Sequence, residues 1–440
     1  MEDKNPEEIV REIIDTCAGC DFCGFYLEDT PCLVFPELYR IYQKERATGE
    51  KATSEELKRL VDLCNGCGMC PCNIIRAGIR QAKNAFVGRD GLSRSIRFLE
   101  RMDSIGSFCE AFPVISGSIL KNPLSSRVIK LILGIHGKRR FPPIPKEDFT
   151  KWLAREGHHF RPDGARRKVA YFAGCSGRYF FPEVPKAVVE VLVHNNVEVL
   201  VPEQECCGMP AILEGDRDLT LKLVEGNVER LHQVVEDGWD IVCSCPTCGY
   251  TLKELWKDEF YFGPINRRDR LRIASNTFDL GEYLKRLQGQ GELRTDFGPL
   301  PGDALYYPPC HQREQRIGEP YAALLETVPQ LKVRKIEDGF YCCGMAGIMG
   351  YKREFRDVSI QMGQRLMERI REINPEMILT ECLSCRLQFE ELLPYPVWHP
   401  VEMLQRAYAA FQPEQTAGSV QADDSQEIGP ERKIVSGGLR

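Results

Sequence analysis

The stretch CCGMP at residues 206–210 returns as CCGMA at residues 342–346, and this repetition decides the architecture of the 440-residue chain. In each copy a single cysteine precedes the CCG and a C-x2-C pair follows it. Equivalent cysteines of the two copies lie 135 to 137 residues apart. A near-constant offset across five positions predicts a tandem duplication with duplicated sites. The first pentad is Cys175, Cys206, Cys207, Cys245 and Cys248, and the second pentad is Cys310, Cys342, Cys343, Cys382 and Cys385.

The residues between these cysteines predict the same order of elements in both copies. The apolar runs KVAYFAGC and ALYYPPC end at the first cysteine of each pentad, and they predict strands. Helical patterns alternate with these and further strand-like runs. Such alternation is typical of parallel sheets with crossover helices, in which ligands lie beyond the carboxyl ends of the strands. We therefore expect two duplicated βα domains, at residues 166–290 and 301–410, with all ten cysteines at their carboxyl rims.

The number of thiols in each pentad favours an iron–sulfur group. Five thiolates exceed the four ligands that a tetrahedral zinc ion accepts. Gly208 and Gly344, which follow the adjacent cysteines, permit a positive φ and a close approach of the backbone to an inorganic cluster. His311 follows Cys310 directly and is a candidate to donate a hydrogen bond to cluster sulfur or to carry a proton; a loop histidine without a role is the alternative.

Eight more cysteines lie in residues 1–102, which we expect to form a helical head. Two C-x2-C-x2-C runs, each with a fourth cysteine after it, are typical of a ferredoxin with two 4Fe-4S clusters, in which each fourth cysteine binds the other run's cluster. Here the fourth cysteine follows after eight residues in one run and after one in the other, which departs from the usual spacing. Two four-cysteine zinc sites are the alternative. The expected cluster ligands are Cys17, Cys20, Cys23 and Cys72 for one cluster, and Cys64, Cys67, Cys70 and Cys32 for the other.

Composition excludes several classes of protein. The chain has 58 basic and 64 acidic residues, a net charge of -6, which argues against a nucleic-acid partner. We find no signal peptide and no apolar run of the ~20 residues that a transmembrane helix needs, so we expect a cytoplasmic location. In that reducing compartment the 20 cysteines are better metal ligands than disulfides. Cys109 and Cys243 lack partner spacing and are predicted to be structural thiols. No nucleotide-binding glycine motif is present, so no flavin of the chain's own is expected.

These motifs resemble the cysteine-rich (CCG) iron–sulfur proteins. Besides the two CCG loops, the resemblance rests on LGIHGKRRFPPIPKEDFTKW at residues 133–152, YCCGMAGIMGYKREF at residues 341–355 and HPVEMLQ at residues 399–405. The family includes the C subunit of anaerobic glycerol-3-phosphate dehydrogenase, the iron–sulfur subunit of glycolate oxidase and the catalytic subunit of membrane-bound heterodisulfide reductase. The similarity runs from about residue 60 to 410.

The resemblance implies an electron-transfer subunit of an anaerobic respiratory-type oxidoreductase. It would relay electrons between a flavoprotein dehydrogenase, of glycerol-3-phosphate or 2-hydroxy acid type, and the quinone pool or another carrier. A membrane quinone-reactive or cytochrome subunit is a further implied partner. The resemblance also implies one or two noncubane 4Fe-4S clusters in the CCG domains. A catalytic subunit that reduces a disulfide, as in heterodisulfide reductase, is the alternative, and whether the chain is itself catalytic stays open.

Two segments lie outside this duplicated frame. Residues 103–165 are predicted to be a linker, whose part at 104–145 mixes short apolar runs with glycine, proline and basic residues. It would dock on a partner or on the inner face of the plasma membrane, or else wrap between head and repeats. Residues 411–440 are rich in Gln, Gly, Ser and acidic residues and are predicted to be a disordered tail.

Overall fold

The computed structural model of the chain describes residues 5–20, 30–70, 72–336 and 339–412. Within these ranges the chain forms a helical head, a group of short connecting helices and two sheets flanked by helices. Cys23 lies outside the described residues, as does the predicted disordered tail from residue 413 onward. Each helix of the described part is too short or too polar to cross a bilayer.

The head begins with helices that bury one shared apolar core. The T-x-x-E spacing of Thr53 and Glu56 predicts a capping box, and the two residues form it at the start of the third described helix, since each side chain accepts a hydrogen bond from the other's backbone N–H. Met349 and Met362 of the second repeat join the same core, so the head packs directly on that repeat. The described helices of the head are α1 (Pro6–Ala18), α2 (Val34–Thr48), α3 (Ser54–Asp62) and α4 (Asn73–Asp90).

The predicted linker folds into helices over much of its length. Pro113 and Pro123 occupy the first turns of two of them, where a missing backbone N–H costs nothing. Asn122 caps the second of these by accepting hydrogen bonds from the backbone N–H groups of Leu124 and Ser125. The connecting helices are α5 (Arg94–Leu99), α6 (Met102–Ala111), α7 (Pro113–Lys121), α8 (Pro123–Ile132) and α9 (Phe149–Glu156).

The first repeat is a five-stranded sheet of order β1-β3-β2-β4-β5, in which only the short β1 runs antiparallel to its neighbour. Its strands are β1 (His159–Phe160), β2 (Arg167–Phe172), β3 (Val197–Leu200), β4 (Asp240–Cys243) and β5 (Thr277–Asp279). Its helices are α10 (Gly174–Tyr179), α11 (Glu183–His194), α12 (Met209–Glu214), α13 (Arg217–Glu236), α14 (Pro246–Lys253), α15 (Glu259–Phe262), α16 (Arg267–Ser275) and α17 (Leu280–Gly289).

The second repeat is a parallel sheet of order β7-β6-β8-β9, which matches the order β3-β2-β4-β5 strand for strand. The predicted duplication of α/β units is therefore confirmed, while the fourth strand of each sheet was not predicted. Its strands are β6 (Gly302–Tyr306), β7 (Leu331–Lys335), β8 (Met377–Leu379) and β9 (Val397–Trp398). Its helices are α18 (Cys310–Glu314), α19 (Pro320–Leu325), α20 (Arg356–Ile373), α21 (Leu383–Leu392) and α22 (Pro400–Ala409).

The two repeats exchange helix contacts. Helix α11 of the first repeat packs on α22, the last helix of the second, and α17, the last helix of the first repeat, packs on α19 of the second. A single apolar core takes in residues of both sheets, including Val169 and Tyr171 from the first and Ala304 and Leu379 from the second. The repeats thus share this core, in addition to the separate core that each sheet has on its other side.

Candidate metal centre

The first pentad gathers at the carboxyl end of the first sheet. Cys175 lies in α10 just after β2, and Cys245 is the N-cap of α14 just after β4. The sulfur atoms of Cys175 and Cys206 are 3.7 Å apart. Gly174 adopts a φ of +69°, and a side chain there would come within 2.8 Å of the Cys248 sulfur. This glycine therefore lets the chain turn beside the thiols.

The second pentad repeats this arrangement at the second sheet. Cys310 begins α18 after β6, and Cys382 is the N-cap of α21 after β8. The sulfur atoms of Cys343 and Cys385 are 3.1 Å apart. The backbone N–H of Gly344 points at the Cys342 sulfur, with nitrogen and sulfur separated by 3.3 Å. Backbone N–H groups are thus placed to stabilise negative charge on sulfur.

Both pentads face a single cavity of about 610 Å³. All ten of their cysteines line it, together with Cys67 of the head and His311. No three His, Cys, Asp or Glu side chains converge on one point as ligands of a single ion would, as far as the chain is described. The described cysteines are all free thiols. The sulfur atoms therefore surround a space large enough for a multi-atom group.

The second cysteine of each CCG loop has the same electrostatic environment. Hydrogen bonds from Cys206 and Cys248 hold the pKa of Cys207 well below its usual range. Hydrogen bonds from Cys342 and Cys385 do the same for the pKa of Cys343. Burial instead raises the pKa of Cys310 to about 12. In this apolar setting several thiols can ionise together only beside a compensating cationic group.

A buried tyrosine supports the C-x2-C loop in each repeat. Tyr171 on β2 hydrogen-bonds the hydroxyl of Ser244, the residue before Cys245, at 2.7 Å. Tyr306 on β6 donates to the carboxyl of Glu381, the residue before Cys382, at 2.5 Å. Sequence reasoning missed both tyrosines, although their offset of 135 residues equals that of the first cysteines and could have identified them.

The head contributes a second group of thiols. Cys32, Cys64, Cys67 and Cys70 line one small pocket, so the structure brings Cys32 to the head loop at residues 64–70. Burial raises the pKa of Cys32 to about 11 and that of Cys70 to about 12, with nearby Cys64 adding to both shifts.

The described cysteines of the other expected ligand group do not line this pocket. Cys17 is buried near the end of α1, Cys20 is exposed, and Cys72 is the N-cap of α4, which packs on α1. Cys23, the fourth expected ligand of this group, belongs to the part of the chain that is not described.

The head loop rests directly on the second pentad. Asn65 donates from its side-chain amide toward the Cys342 sulfur, 3.8 Å away. Arg76 forms an ion pair with Glu314 and also donates to the carbonyls of Gly68 and Cys70. A side chain at Gly68 would collide with Glu314, so the loop approaches the second repeat as closely as glycine permits.

His311 joins all three cysteine-bearing regions. One ring nitrogen lies 3.0 Å from the carbonyl oxygen of Gly66 in the head loop, and the other lies 2.9 Å from the hydroxyl of Thr247 in the first repeat. Its ring stacks on Tyr250 with centroids 5.0 Å apart. Burial lowers the pKa of His311, which favours the neutral ring. Both nitrogens are occupied by these contacts, so in this arrangement His311 positions loops.

The remaining sequence candidates differ in where they lie. Cys243 is fully buried on β4 within the first repeat's core, whereas Cys109 lies on α6 and lines the cavity beside the pentads. Gly208 and Gly344 both adopt the predicted positive φ, of +92° and +84°.

Polar side chains that hold the CCG loop of the first repeat were not predicted. Gln204 accepts a hydrogen bond from the backbone of Gly174 and donates to the carbonyls of Tyr171 and Pro202. Asp103 of α6 accepts a hydrogen bond from the backbone N–H of Cys206 at 2.5 Å.

Comparison with known proteins identifies the two repeats. Residues 169–253 and 304–390 each match the family described as the cysteine-rich domain, CCG. The matched stretches contain the strands that end at the cysteines, both CCG loops and both C-x2-C pairs. The head and the connecting helices lie outside them.

Three relatives extend beyond the matched domains. The C subunit of anaerobic glycerol-3-phosphate dehydrogenase from Escherichia coli (strain K12) is 26% identical over 317 residues, which are 71% of this chain and 76% of that protein. An uncharacterised iron–sulfur protein of Methanococcus maripaludis is 27% identical over 252 residues, 57% of this chain and 46% of that protein. The B subunit of fumarate reductase (CoM/CoB) from Methanothermobacter marburgensis is 30% identical over 251 residues, 55% of this chain and 47% of that protein. The chain thus spans about half the length of the latter two.

Proposed function

Both repeats belong to the cysteine-rich (CCG) domain family, and from this premise we propose that the chain is an iron–sulfur electron-transfer subunit of a larger oxidoreductase. The observation that carries the proposal is the single cavity lined by both pentads and by Cys67 of the head. Thiols from three distant parts of the sequence meet there. Such convergence is expected of redox groups that must lie close enough to exchange electrons.

The donor sets fit iron–sulfur groups. The ten pentad cysteines would hold one or two noncubane 4Fe-4S clusters. Cys64, Cys67, Cys70 and Cys32 would hold a 4Fe-4S cluster in the head, and Cys17, Cys20, Cys23 and Cys72 would hold another. A bound cluster supplies one-electron redox chemistry that no side chain of the chain provides.

Residues around the thiols favour such groups over isolated ions. Each pentad offers five sulfur atoms around a space, whereas zinc takes four at one point. The N-termini of α14 and α21, which begin after Cys245 and Cys382, direct backbone N–H groups toward this space. The glycines at 174, 208 and 344 keep the backbone close to the sulfurs. The chain itself therefore keeps bulky side chains away from the sulfur atoms, orients the thiols and supplies N–H donors.

The partners follow from the relatives. The Escherichia coli relative is named as the C subunit of anaerobic glycerol-3-phosphate dehydrogenase. The Methanothermobacter marburgensis relative is named as the B subunit of fumarate reductase (CoM/CoB). We infer that this chain also works with other subunits. A flavoprotein dehydrogenase acting on glycerol 3-phosphate or a 2-hydroxy acid would exchange electrons with one side of the chain. The quinone pool, reached directly or through a quinone-reactive or cytochrome subunit, would exchange them with the other.

Metal analysis with site-selective variants tests the proposal. The full chain, purified without oxygen, should be brown and contain iron and acid-labile sulfide. Cys206→Ser should alter the paramagnetic resonance signals of the first pentad, and Cys342→Ser those of the second. Cys243→Ser, which changes a buried thiol on β4 outside both pentads, is the matched control and should change neither. A colourless chain that holds stoichiometric zinc would overturn the proposal.

Disulfide reduction is the second candidate, and the shared cavity is the observation that favours it. Two pentads that face one space of about 610 Å³ could enclose a substrate between them. The purified chain with an artificial electron donor should then reduce a disulfide without any partner subunit. If the clusters are reduced by the donor while the disulfide is left intact, the chain is an electron carrier only.

A further inference from the structure

The exposed apolar residues of the chain are concentrated in one short segment. Large apolar side chains that are exposed one at a time are ordinary, whereas a contiguous patch marks an interaction surface. Eight of the eleven in the described residues lie between residues 108 and 132, and Val114 and Leu124 are 78% and 76% exposed. The eight are Phe108, Phe112, Val114, Ile115, Leu124, Val128, Leu131 and Ile132. We call helices α6, α7 and α8, which carry all of them except Phe112 between the first two, the roof.

The roof is apolar on both of its sides. On α8 the exposed Leu124, Val128 and Leu131 recur with helical spacing and share one face. Ile129 and Leu133, on the other side, line the cavity of the two pentads. The inner face is therefore accounted for by the cavity, while the outer face has no partner in the described chain.

The charge of α7, α8 and the stretch that follows them is strongly one-sided, whereas α6 carries the acidic Asp103 and Glu110. Residues 111–146 contain seven basic residues and no acidic one, in a chain whose net charge is -6. Part of this charge is used internally, because Arg139 is buried and donates to Gly350, Ser359 and Gln388 of the second repeat. Lys121 and Arg127 are exposed beside the apolar face, and neither forms an ion pair with a described residue.

We propose that the outer face of the roof docks on an anionic lipid bilayer. Short helices with an apolar face and flanking lysine and arginine lie in the bilayer interface, where anionic headgroups attract the basic residues. A second copy of the chain fits less well, because self-association would bring the basic segments together. The core of a protein interface is also depleted in lysine.

The docking deepens the proposed function and rests on it only for its biological consequence. Because the inner face of the roof lines the cavity, a docked chain holds both pentads one helix layer away from the lipid. A lipid-soluble electron acceptor would meet the chain at this face. The binding itself depends on the roof alone.

Vesicle sedimentation with the full, iron-loaded chain tests the docking. Vesicles of neutral phosphatidylcholine are compared with vesicles that also contain phosphatidylglycerol. The chain should sediment with the anionic vesicles. Leu124→Gln with Val128→Gln and Ile132→Gln should weaken this binding by more than about 100-fold, since three apolar side chains leave the interface. Ile74→Gln, which changes a 66% exposed side chain of the head, is the matched control and should bind like the wild type.

A second test changes only exposed basic side chains, so its variant should fold like the wild type. Lys121→Gln with Arg127→Gln changes two exposed side chains and should weaken binding to anionic vesicles roughly 10- to 30-fold. Binding to neutral vesicles should not change. The proposal is overturned if the wild-type chain stays in the supernatant with anionic vesicles, or if the basic double variant binds them unchanged. It is also overturned if the chain dimerises and the apolar triple variant is monomeric.

The same preparations separate this proposal from the proposed function. Iron content and paramagnetic resonance are measured on the samples used for sedimentation. A chain without iron–sulfur signals that still binds anionic vesicles contradicts the electron-transfer role and supports the docking. A chain with all signals that does not bind them contradicts the docking alone.

Discussion

The two repeats carry the same five cysteines and hold the CCG loop in different ways. In the first repeat Asn227 of α13 reaches across to the loop, accepting from the backbone of Glu205 and donating to the carbonyl of Cys206. The position 136 residues later is Gly363 of α20. There a side chain would come within 2.5 Å of the Cys343 carbonyl, so the helix backbone itself meets the loop. A side-chain bridge in one repeat is replaced by direct backbone contact in the other.

The neighbours of the pentads differ as well. The second pentad faces the head, through Asn65, His311 and the pair of Arg76 with Glu314. The first pentad faces the roof, through Asp103 and the backbone of Cys206. Duplication has kept the donor atoms equal and made their surroundings unequal. We therefore expect matched substitutions in the two repeats to have different consequences.

The largest difference is expected at the glycines after the paired cysteines. A Cβ at Gly344 would lie 2.0 Å from the carbonyl oxygen of Ser359, whereas a Cβ at Gly208 would meet Val224 at an ordinary 3.8 Å. Both glycines have a positive φ, which costs another residue ~1 to 2 kcal/mol. Gly208→Ala should cost that amount, and Gly344→Ala more than ~4 kcal/mol because helix and loop must separate. Chemical denaturation measures both, and equal losses would contradict the backbone-contact account of the second repeat.

The next effect concerns the bridge that only the first repeat has. Asn227→Leu keeps the volume and leaves the N–H of Glu205 and the carbonyl of Cys206 without their partner. We expect a loss of ~2 to 3 kcal/mol in the free energy of unfolding, with altered resonance signals from the first pentad only. Gln233→Leu on the same helix changes an exposed side chain and serves as the control. Altered signals from the second pentad would show that the two loops are coupled.

The third effect is a pH dependence of the chain's stability, and it comes from Glu100, which lies near Asp216 and Glu214 of the first repeat. Burial and the nearby Asp216 raise the pKa of Glu100 to about 8, Glu214 adds to the shift and Arg101 opposes it. The folded chain then holds a proton that the unfolded chain has lost between about pH 4.5 and 8, so stability falls as the pH rises through this window. Between pH 6 and 8 the loss should be at most roughly 2 kcal/mol. Glu100→Gln should flatten this decline in thermal unfolding, and an unchanged slope would contradict the assignment.

The smallest effect on stability is expected where the head meets the second repeat. Arg76→Gln removes the partly exposed ion pair with Glu314 and the donors to the carbonyls of Gly68 and Cys70, and should cost ~1 kcal/mol. It should nevertheless shift the signals of the head loop and of the second pentad. Arg80→Gln, one turn further along α4, removes a pair with Asp258 of the first repeat and is the control. If Arg76→Gln shifted the signals of the first pentad, the contact with the head would not distinguish the second pentad from the first.

The sequence predicted the parts of the fold that have a strong local pattern. The apolar runs before Cys175 and Cys310 are β2 and β6, and the capping box at Thr53 starts α3. The fourth strands, β5 and β9, have three and two residues, which is too short for a periodic pattern to emerge. The sequence predicts a linker over residues 103–165, whose part at 104–145 mixes short apolar runs with glycine, proline and basic residues, whereas Pro113 and Pro123 are the first residues of α7 and α8.

The same distinction between local pattern and tertiary contact applies to the candidate metal centre. Spacing alone identified all ten pentad cysteines that line the cavity. Their supports could not be read from spacing, because each depends on tertiary contact. His311 meets a carbonyl 245 residues away, and Lys352 is 8% exposed and paired with Glu214, 138 residues away. Long-range contacts of this kind leave no local pattern.

The exchange of helices between the repeats sets an order of assembly. Helix α22, the last described helix, covers α11 of the first repeat, and its N-cap His399 holds the carbonyl of Ser244 beside Cys245 at 3.0 Å. The carbonyl next to Cys245 is thus held by a residue that is made 155 positions later than Ser244. During synthesis, a nascent chain that has released only the first repeat still lacks one wall of its own thiol site. We therefore expect any inorganic group to enter this site only after both repeats have been synthesised.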